Sequence, residues 1–167
     1  TPAPLWNDYS GTSTTYLIEY AAPAPLSIAQ ARVLPTGTLV TVEAPISFLL
    51  DQVQNPYLAD FTLQDDTGGI AVFTPVEEIA SLLPTLKVGD KLRATGIVER
   101  FNGYVEINAR QSQFSVTKIG TAAIPELQSV VPPDFANQST TAENLELERV
   151  QLKNVHFTPT AGQKFAE

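Results

Sequence analysis

The sequence predicts a mainly β protein built around a small five-stranded Greek-key barrel. Two predicted β-hairpins carry most of this prediction. In the first, the aspartates and glycines of residues 65–69 form a turn between two short alternating apolar runs. In the second, Asn102 and Gly103, the strongest two-residue turn signal, separate two further alternating runs. Apolar residues at helical spacing lie between the hairpins, so the predicted order is strand, hairpin, helix, hairpin.

The predicted elements follow one another closely between residues 27 and 120. Ser27 can cap a short helix that ends before Pro35. The first strand should bend at Pro45, because proline has no amide N–H for a sheet ladder. Gly68 and Gly69 are expected to adopt positive φ, with aspartate side chains closing the turn. The predicted ranges are a helix at 28–34, strand one at 39–49, strands two and three within 61–73, a helix at 76–83, strand four at 91–99, strand five at 104–109 and a closing strand at 114–119.

Five strands in this order describe an oligonucleotide/oligosaccharide-binding (OB) barrel, here with a short helix between strands three and four. The chain also resembles the OB-fold accessory domain found in secreted bacterial nucleases and phosphoesterases. The motifs that carry the resemblance are Ser27–Arg32, Gly37–Glu43, Phe61–Asp65, Thr67–Val72, Val88–Gly96 and Asn102–Gly103. The resemblance implies a binding module whose parent protein keeps its chemistry in a separate catalytic domain. The chain departs from the family at Ala44 and Pro45, where a small residue, often glycine, is common.

The chain divides into four predicted parts. They are an N-terminal arm with one strand at 1–26, the OB-fold domain at 27–120, a proline-containing linker at 121–139 and the start of a second domain at 140–167. In the arm, Thr14–Tyr20 alternates in the manner of a strand. In the last part, Arg149–Phe157 repeats the apolar pattern of strand one. We interpret it as the first strand of a second, truncated OB-like domain; chance similarity between alternating strands is the alternative.

Composition and charge bound the function. The net charge is −8, and acids outnumber bases in the arm, in the OB-fold domain and in the remainder. No region therefore has the basic footprint of tight, nonspecific nucleic-acid binding. The absence of cysteine excludes thiol catalysis, thiolate metal sites and disulfides. A chain that starts with Thr-Pro-Ala-Pro and is poor in lysine indicates an exported bacterial protein, secreted or in the cell envelope. No apolar run approaches the roughly 20 residues that span a membrane.

The sequence contains no recognisable catalytic constellation, so this chain alone is not expected to be an enzyme or to hold a cofactor. It has neither a phosphate-binding loop nor an H-E-x-x-H motif. Asp65 and Asp66 lack the spaced acids of an EF-hand, so turn chemistry explains them best. Their convergence with Asp51 and Asp60 around a cation stays open, although no metal site is predicted. His156 is the only histidine, and an exposed strand histidine is its simplest interpretation.

The candidate ligand-binding residues lie on strands two and three and at the second hairpin. OB barrels bind across the face of these strands, between the loops that join strands one to two and four to five. Alternation places Thr62, Gln64 and Phe73 on that face, where Phe73 can stack on a base or a sugar. The other candidates are Tyr57 in the loop before strand two, Arg93 on strand four, and Arg100, Phe101, Asn102 and Tyr104 near the second turn. Packing of the phenylalanines against a helix or the arm is the alternative.

Two functions of different classes follow. The first is a non-catalytic module that binds single-stranded nucleic acid or glycan through the strand two–three face. The family resemblance favours it, and it requires exposed aromatic side chains around a groove. The second is a structural or interaction module of the cell surface, in which a partner protein pairs with Thr14–Tyr20 or Arg149–Phe157. The acidic balance favours this second function, which requires a covered face.

Overall fold

The computed structural model describes residues 21–49, 58–108, 114–131 and 145–155. Within these residues one short helix precedes the strands, and two 3-10 turns lie between the third and fourth strands. The elements are α1 (Ile28–Arg32), β1 (Leu39–Leu49), β2 (Leu58–Asp65), β3 (Gly68–Pro75), the 3-10 turns Val76–Ile79 and Leu83–Thr85, β4 (Asp90–Phe101), β5 (Tyr104–Asn108), β6 (Ser115–Thr121), β7 (Gln128–Val130) and β8 (Val150–Leu152).

Strands β1 to β5 form a closed Greek-key barrel. The sheet order is β1-β2-β3-β5-β4, and the pairing of β1 with β4 closes it. The barrel pairs are antiparallel except for β3 with β5, which are parallel. β6 pairs with the first half of β4, while β5 pairs with the second half. This is the OB fold that the sequence predicted, including the closing strand.

The long strand β1 serves two neighbours and changes from one to the other at Pro45. It pairs with β4 from Leu39 to Pro45 and with β2 from Ile46 onward. Proline fits at this change of partner because one ladder ends there and an amide donor is not needed. The bulge itself lies slightly later, between Ile46 and Phe48. Pro45 therefore marks a change of pairing partner, and the bulge lies just beyond it, with Ser47 as the extra residue.

The two hairpin turns are of different kinds. Asn102 and Gly103 have φ values of 49° and 96°, as a two-residue turn of the predicted type requires. In the first hairpin, Asp65 pairs directly with Gly68, and the Asp65 carboxylate accepts a hydrogen bond from the Thr67 amide at 2.7 Å. The predicted closure by aspartate is thus confirmed. The predicted positive φ is wrong for Gly69, which has another reason to be glycine, described below.

The short helix predicted between β3 and β4 is two 3-10 turns rather than one α-helix. Only eight residues separate Pro75 from Pro84, and an α-helix of that length is marginal without strong packing. The apolar residues Ile79, Leu83 and Leu86 instead reach the core from tighter turns. The connection therefore fills the predicted place in the fold with a different local geometry.

A single hydrophobic core fills the barrel, and α1 closes one end of it. Ile28 and Ala31 of α1 are buried in the same cluster as the inward-facing residues of the strands. Burial of each large apolar side chain stabilises the fold by about 1.5–3 kcal/mol. The largest fully buried apolar side chains are Phe61, Ile28, Ile46, Leu63, Ile70, Leu92 and Ile107. The helix position is consequently fixed, which matters for the site built upon it.

Beyond the barrel, β7 and β8 pair in parallel in a separate two-stranded sheet. β7 lies between Pro125 and Pro132, so the prolines of the predicted linker do not exclude regular structure from it. The predicted strand Thr14–Tyr20 lies outside the described residues, as does most of residues 140–167. The division into an arm, a linker and a second domain stays a prediction. Among the described residues, no helix is long and apolar enough to cross a membrane.

Asp90 provides a pH-dependent test of the fold. Its side chain is 0% exposed at the start of β4, and its Oδ2 accepts from Lys118 Nζ at 2.8 Å and from the Lys87 amide at 3.1 Å. The Lys118 hydrogen bond is the main cause that holds the Asp90 pKa below its ordinary value. A lowered folded-state pKa stabilises the protein above the unfolded-state pKa, and this stabilisation is lost as the pH falls through the folded value.

We expect Asp90→Asn to lower the urea midpoint clearly at about pH 7 and much less at about pH 3, because the wild-type carboxyl itself becomes protonated in acid. Asp66→Asn, the same change at an exposed turn residue, serves as the control and should have little effect at either pH. An equal loss for Asp90→Asn at both pH values would show that shape, not charge, makes this residue important.

Candidate functional site

The face of β2 and β3 that the sequence predicted to be open is covered in this structure. Thr62 is buried, and Gln64 is only 1% exposed. Gln64 Oε1 accepts a hydrogen bond at 3.1 Å from the main-chain amide of Arg149. We call Leu145–Arg149 the covering segment. The expectation of an open surface is therefore wrong for Thr62 and Gln64, which are both buried, and at Gln64 the chain's own later residues lie upon the face.

Gly69 shows how closely the covering segment approaches. It pairs with Gln64 across the hairpin. A Cβ atom built on Gly69 would lie 2.2 Å from the carbonyl oxygen of Leu147, far inside van der Waals contact. Only glycine permits this approach of two main chains. The reason for glycine at this position is a tertiary contact rather than a turn conformation.

The candidates Phe73, Tyr57 and Arg93 do not form one site with the residues above. Phe73 is half-buried on β3, paired in register with Asn108 of β5. Tyr57 lies outside the described residues. Arg93 is exposed but lies on another part of the surface, where it forms an ion pair of 2.6 Å with Glu43. Arg93 and Arg100 are seven positions apart on β4, or about 23 Å along an extended strand. The structure therefore does not bring Arg93 to the hairpin candidates.

A groove of about 500 Å³ lies at the end of the barrel that α1 closes. The helix, the two hairpin turns and the covering segment surround it. Its lining residues are Ala29, Arg32, Val33, Thr67, Arg100, Gly103, Val105 and Glu146. A volume in this range is typical of small-ligand sites. The sequence predicted only Arg100 of these residues as a ligand contact.

Helix α1 is held against the first hairpin by main-chain amides of its first turn, which have no partner within the helix. Ser27 and Gln30 form a reciprocal capping box. The Ile28 amide donates to Asp65 Oδ2 at 2.9 Å, and the Ala29 amide donates to Thr67 Oγ1 at 3.0 Å. The first turn of a helix leaves such donors unsatisfied, and here the hairpin turn supplies the acceptors. One wall of the groove is consequently rigid.

The second hairpin supplies an aromatic pair and a cation beside the groove. Phe101 is 54% exposed, and its ring meets that of Tyr104 edge to face, with centroids 5.9 Å apart. Asn102 is exposed in the turn itself. The Arg100 guanidinium donates to the Arg32 carbonyl oxygen at 3.2 Å, which ties the hairpin to the end of α1. These four sequence candidates therefore lie together on the second hairpin, and of them Arg100 lines the groove.

Arg32 and Glu146 form an ion pair in the lining of the groove, and no pattern in the sequence predicted that they would pair. The Arg32 Nη2 lies 2.5 Å from Glu146 Oε2, and both side chains are largely buried. The second carboxylate oxygen of Glu146 accepts from the Val105 amide at 3.0 Å. These residues are separated by up to 114 positions. The only sequence signal was the position of Arg32 in the last turn of the predicted helix.

The covering segment carries a second acid, Glu148. It accepts a hydrogen bond from Gln128 at 3.0 Å, so it links the segment to β7. Burial raises the pKa of the Glu148 carboxyl above its ordinary value. Its ionised form at neutral pH therefore opposes the packing of the segment on the barrel.

The described residues hold no group of three or more His, Cys, Asp or Glu side chains that could bind a metal ion. Asp65, one of the four predicted aspartates, is instead engaged by the turn and by α1. Asp51 and His156 lie outside the described ranges. The chemistry that the described site offers is hydrogen bonding, stacking and ion pairing.

Comparison with known proteins agrees with the fold. Residues 37–113 match a family described as OB-fold nucleic acid binding domain, of the tRNA anticodon type. A search of curated proteins gives no match. Similar solved structures include the hypothetical protein ygiW from E. coli, with 19% identity, a TM-score of 0.46 and coverage of 59% of this chain and 94% of that chain.

In two further similar structures, the match covers very different shares of the other chain. The OBody AM1L10 bound to hen egg-white lysozyme is 20% identical, with a TM-score of 0.49 and coverage of 62% of this chain and 100% of that chain. The aspartyl tRNA synthetase from Entamoeba histolytica is 14% identical, with a TM-score of 0.48; the match covers 62% of this chain but only 23% of the synthetase. The barrel described above is thus an OB fold that over residues 37–113 is similar to the OB-fold nucleic acid binding domain family.

Proposed function

We propose that this chain is a non-catalytic OB-fold module that binds single-stranded nucleic acid in the groove between α1 and the β4–β5 hairpin. One observation carries the proposal: the hairpin whose Arg100 lines the groove also carries the exposed Phe101 ring at its tip, on a barrel similar to nucleic-acid-binding domains. Aromatic stacking contributes about 1–3 kcal/mol per base and tolerates any sequence. A guanidinium beside it can contact the phosphate that links stacked bases.

The charge of the protein sets the expected strength of binding. A net charge of −8 disfavours approach of a polyanion, and few cations line the groove. Stacking must then supply much of the affinity, with a small number of phosphate contacts. We expect dissociation constants on the order of 1–100 µM near physiological salt, in the range of nonspecific binding.

The site proposed here differs from the one predicted on strands two and three. Gln64 becomes a ligand contact only in a state from which the covering segment has moved, while Thr62 is buried and Phe73 is half-buried on β3. Phe101, Tyr104, Asn102 and Arg100 need no such movement. The groove is therefore the primary proposed site, and the β2–β3 face is a secondary one.

The location and the parent protein of this chain are also part of the proposal. Composition favours an exported bacterial protein, and the family resemblance favours an accessory domain of a nuclease or phosphoesterase. Stacking and amide contacts suit a glycan as well as a base, so glycan binding stays the alternative ligand class. Pairing with a partner protein through Arg149–Phe157 also stays a proposal; β8, within that range, already pairs with β7.

Fluorescence anisotropy with a labelled oligothymidylate of about ten nucleotides tests the function, because OB domains contact about 4–16 nucleotides. Wild-type protein should bind at low salt, and Phe101→Ala should weaken binding about tenfold, the equivalent of about 1.4 kcal/mol. A neutral oligosaccharide tested in parallel by calorimetry should give no heat of binding.

Phe48→Ala is the matched control, because Phe48 is 56% exposed but lies on β1, away from the hairpin tip. It should leave the affinity unchanged. Equal loss in both variants, or loss in Phe48→Ala alone, would place the ligand elsewhere. Failure of wild-type protein to bind the oligonucleotide even at high micromolar concentration and low salt would reject nucleic-acid binding itself.

A further inference from the structure

The barrel has a gap beside the groove, where β3 and β5 part. These parallel strands pair only from Ala71 to Phe73 on β3. The ladder stops toward the hairpin turns. There, main-chain groups of the two strands form hydrogen bonds with side chains instead. The Gly69 carbonyl oxygen accepts from Arg32 Nη1 at 3.0 Å, and the Val105 amide donates to Glu146 Oε1 at 3.0 Å. Arg32 and Glu146 thus fill the place that a continuing ladder would take.

Two donors of the barrel region hold Glu146 in this gap. One carboxylate oxygen accepts a hydrogen bond from the Val105 amide, and the other accepts one from the Arg32 guanidinium. The main-chain oxygen of Glu146 accepts a further hydrogen bond from Arg32 Nη1 at 2.9 Å. A main-chain N–H together with a guanidinium is the donor set that proteins commonly use for phosphate oxygens. Arg32, Val105 and Glu146 also line the groove. The same donors therefore face the space proposed for a ligand.

We propose that Arg32 and the Val105 amide form a phosphate subsite of the groove, and that the Glu146 carboxylate is its internal occupant, displaced when a phosphodiester of single-stranded nucleic acid binds. The proposal rests on the proposed function and deepens it. A carboxylate and a phosphodiester each carry one negative charge, so the exchange leaves the charge within the subsite unchanged. The covering segment thereby acts as a built-in competitor for the ligand.

Two features make the exchange reversible. The covering segment is tied to the barrel through hydrogen bonds and an ion pair, among them the Arg149 amide to Gln64 and the Arg32 pair, and a ligand can compete for such polar contacts. Glu148, buried in part on the same segment, opposes its packing at neutral pH, as its raised pKa indicates. A tethered competitor is nevertheless present at high effective concentration, so the ligand meets an occupied site in the wild-type protein.

Removal of the Glu146 charge tests the subsite. Glu146→Gln keeps an oxygen that can accept from Val105 but no longer neutralises Arg32. We expect it to bind the labelled oligothymidylate about tenfold more tightly than wild type. The double variant Arg32→Gln/Glu146→Gln should lose this gain, because the guanidinium is absent. Glu148→Gln, with the same change of net charge on the same segment, should give no such gain, because loss of its charge favours packing of the segment on the barrel.

A second readout does not depend on nucleic acid. In a titration with sodium pyrophosphate, the Val105 amide resonance should shift at lower concentrations in Glu146→Gln than in wild type. If the oligonucleotide binds neither protein but pyrophosphate shifts Val105 in this way, the anion subsite stands and the proposed function fails. If the oligonucleotide binds both proteins equally and Val105 does not respond to pyrophosphate, the subsite is overturned and the proposed function stands. A gain in Glu148→Gln equal to that in Glu146→Gln overturns the subsite as well.

Discussion

Replacement of Gly69 by alanine is expected to lift the covering segment from a barrel that stays folded. The added Cβ would lie 2.2 Å from the Leu147 carbonyl oxygen, and two main chains cannot both remain in place at that distance. Gly69 does not have a positive φ, so alanine is compatible with β3 itself. The strain therefore falls on the contact between Gly69 and the covering segment. Because β3 is paired along its length with β2, we expect the segment to move rather than the strand.

Hydrogen exchange at two amides measures this release. The Arg149 amide donates to Gln64, and the Val105 amide donates to Glu146. Loss of about 1.4 kcal/mol of protection at each would speed exchange about tenfold in Gly69→Ala. The Val98 amide, which donates to the Thr38 carbonyl oxygen within the barrel region, should keep its wild-type rate.

Gly37→Ala separates local release from general loss of stability. An added Cβ at Gly37 meets nothing within 4 Å, but φ is +91°, so the strain is in the backbone. This control should speed exchange throughout the barrel without singling out Val105 and Arg149. Unchanged exchange at these two amides in Gly69→Ala, or a uniform increase like that of the control, would contradict the account of Gly69.

Phe61→Ala should have the largest effect on stability. The Phe61 ring is 0% exposed in the centre of the barrel, on β2 opposite Val72 of β3. Removing a buried phenylalanine side chain leaves a cavity and costs about 3–5 kcal/mol. A marginally stable domain has only about 5–15 kcal/mol in total, so much of the stability would be lost. Urea denaturation followed by circular dichroism measures the change.

Phe101→Ala is the matched comparison, because it removes the same side chain from an exposed position. Its edge-to-face contact with Tyr104 should make the stability cost less than about 1 kcal/mol. The two variants thus separate core packing from ligand contact: one lowers the urea midpoint, and the other lowers oligonucleotide affinity. Comparable destabilisation by both would mean that Phe101 packs as a structural residue, which was the alternative interpretation of the sequence.

Local patterns predicted the fold because the barrel is specified largely by short-range signals. Asn102 and Gly103 adopt the positive φ values that asparagine and glycine tolerate best, and Ser27 caps α1 as predicted. Alternation correctly placed Phe61 and Leu63 in the core. The hairpin candidates Arg100 to Tyr104 are adjacent in sequence, so their proximity needed no tertiary information.

The features of the site that the sequence did not predict depend on contacts between distant parts of the chain. The approach of Leu147 to Gly69 and the pairing of Glu146 with Arg32 leave no periodic mark in the sequence. Gly69 therefore looked like a turn residue, and Gln64 looked like an open ligand contact. The stretch between Pro75 and Pro84 had helical spacing, but it is too short for propensity to outweigh packing.

Amide chemical shifts show where nucleic acid binds on the barrel. They should be recorded for wild-type protein during titration with the ten-nucleotide oligothymidylate. If the ligand binds in the groove, the largest changes will occur at Phe101–Val105 and near Thr67 and Ala29, the residues around the groove. Changes concentrated at the Phe48 end of β1 and β2, with the groove amides unaffected, would contradict binding in the groove.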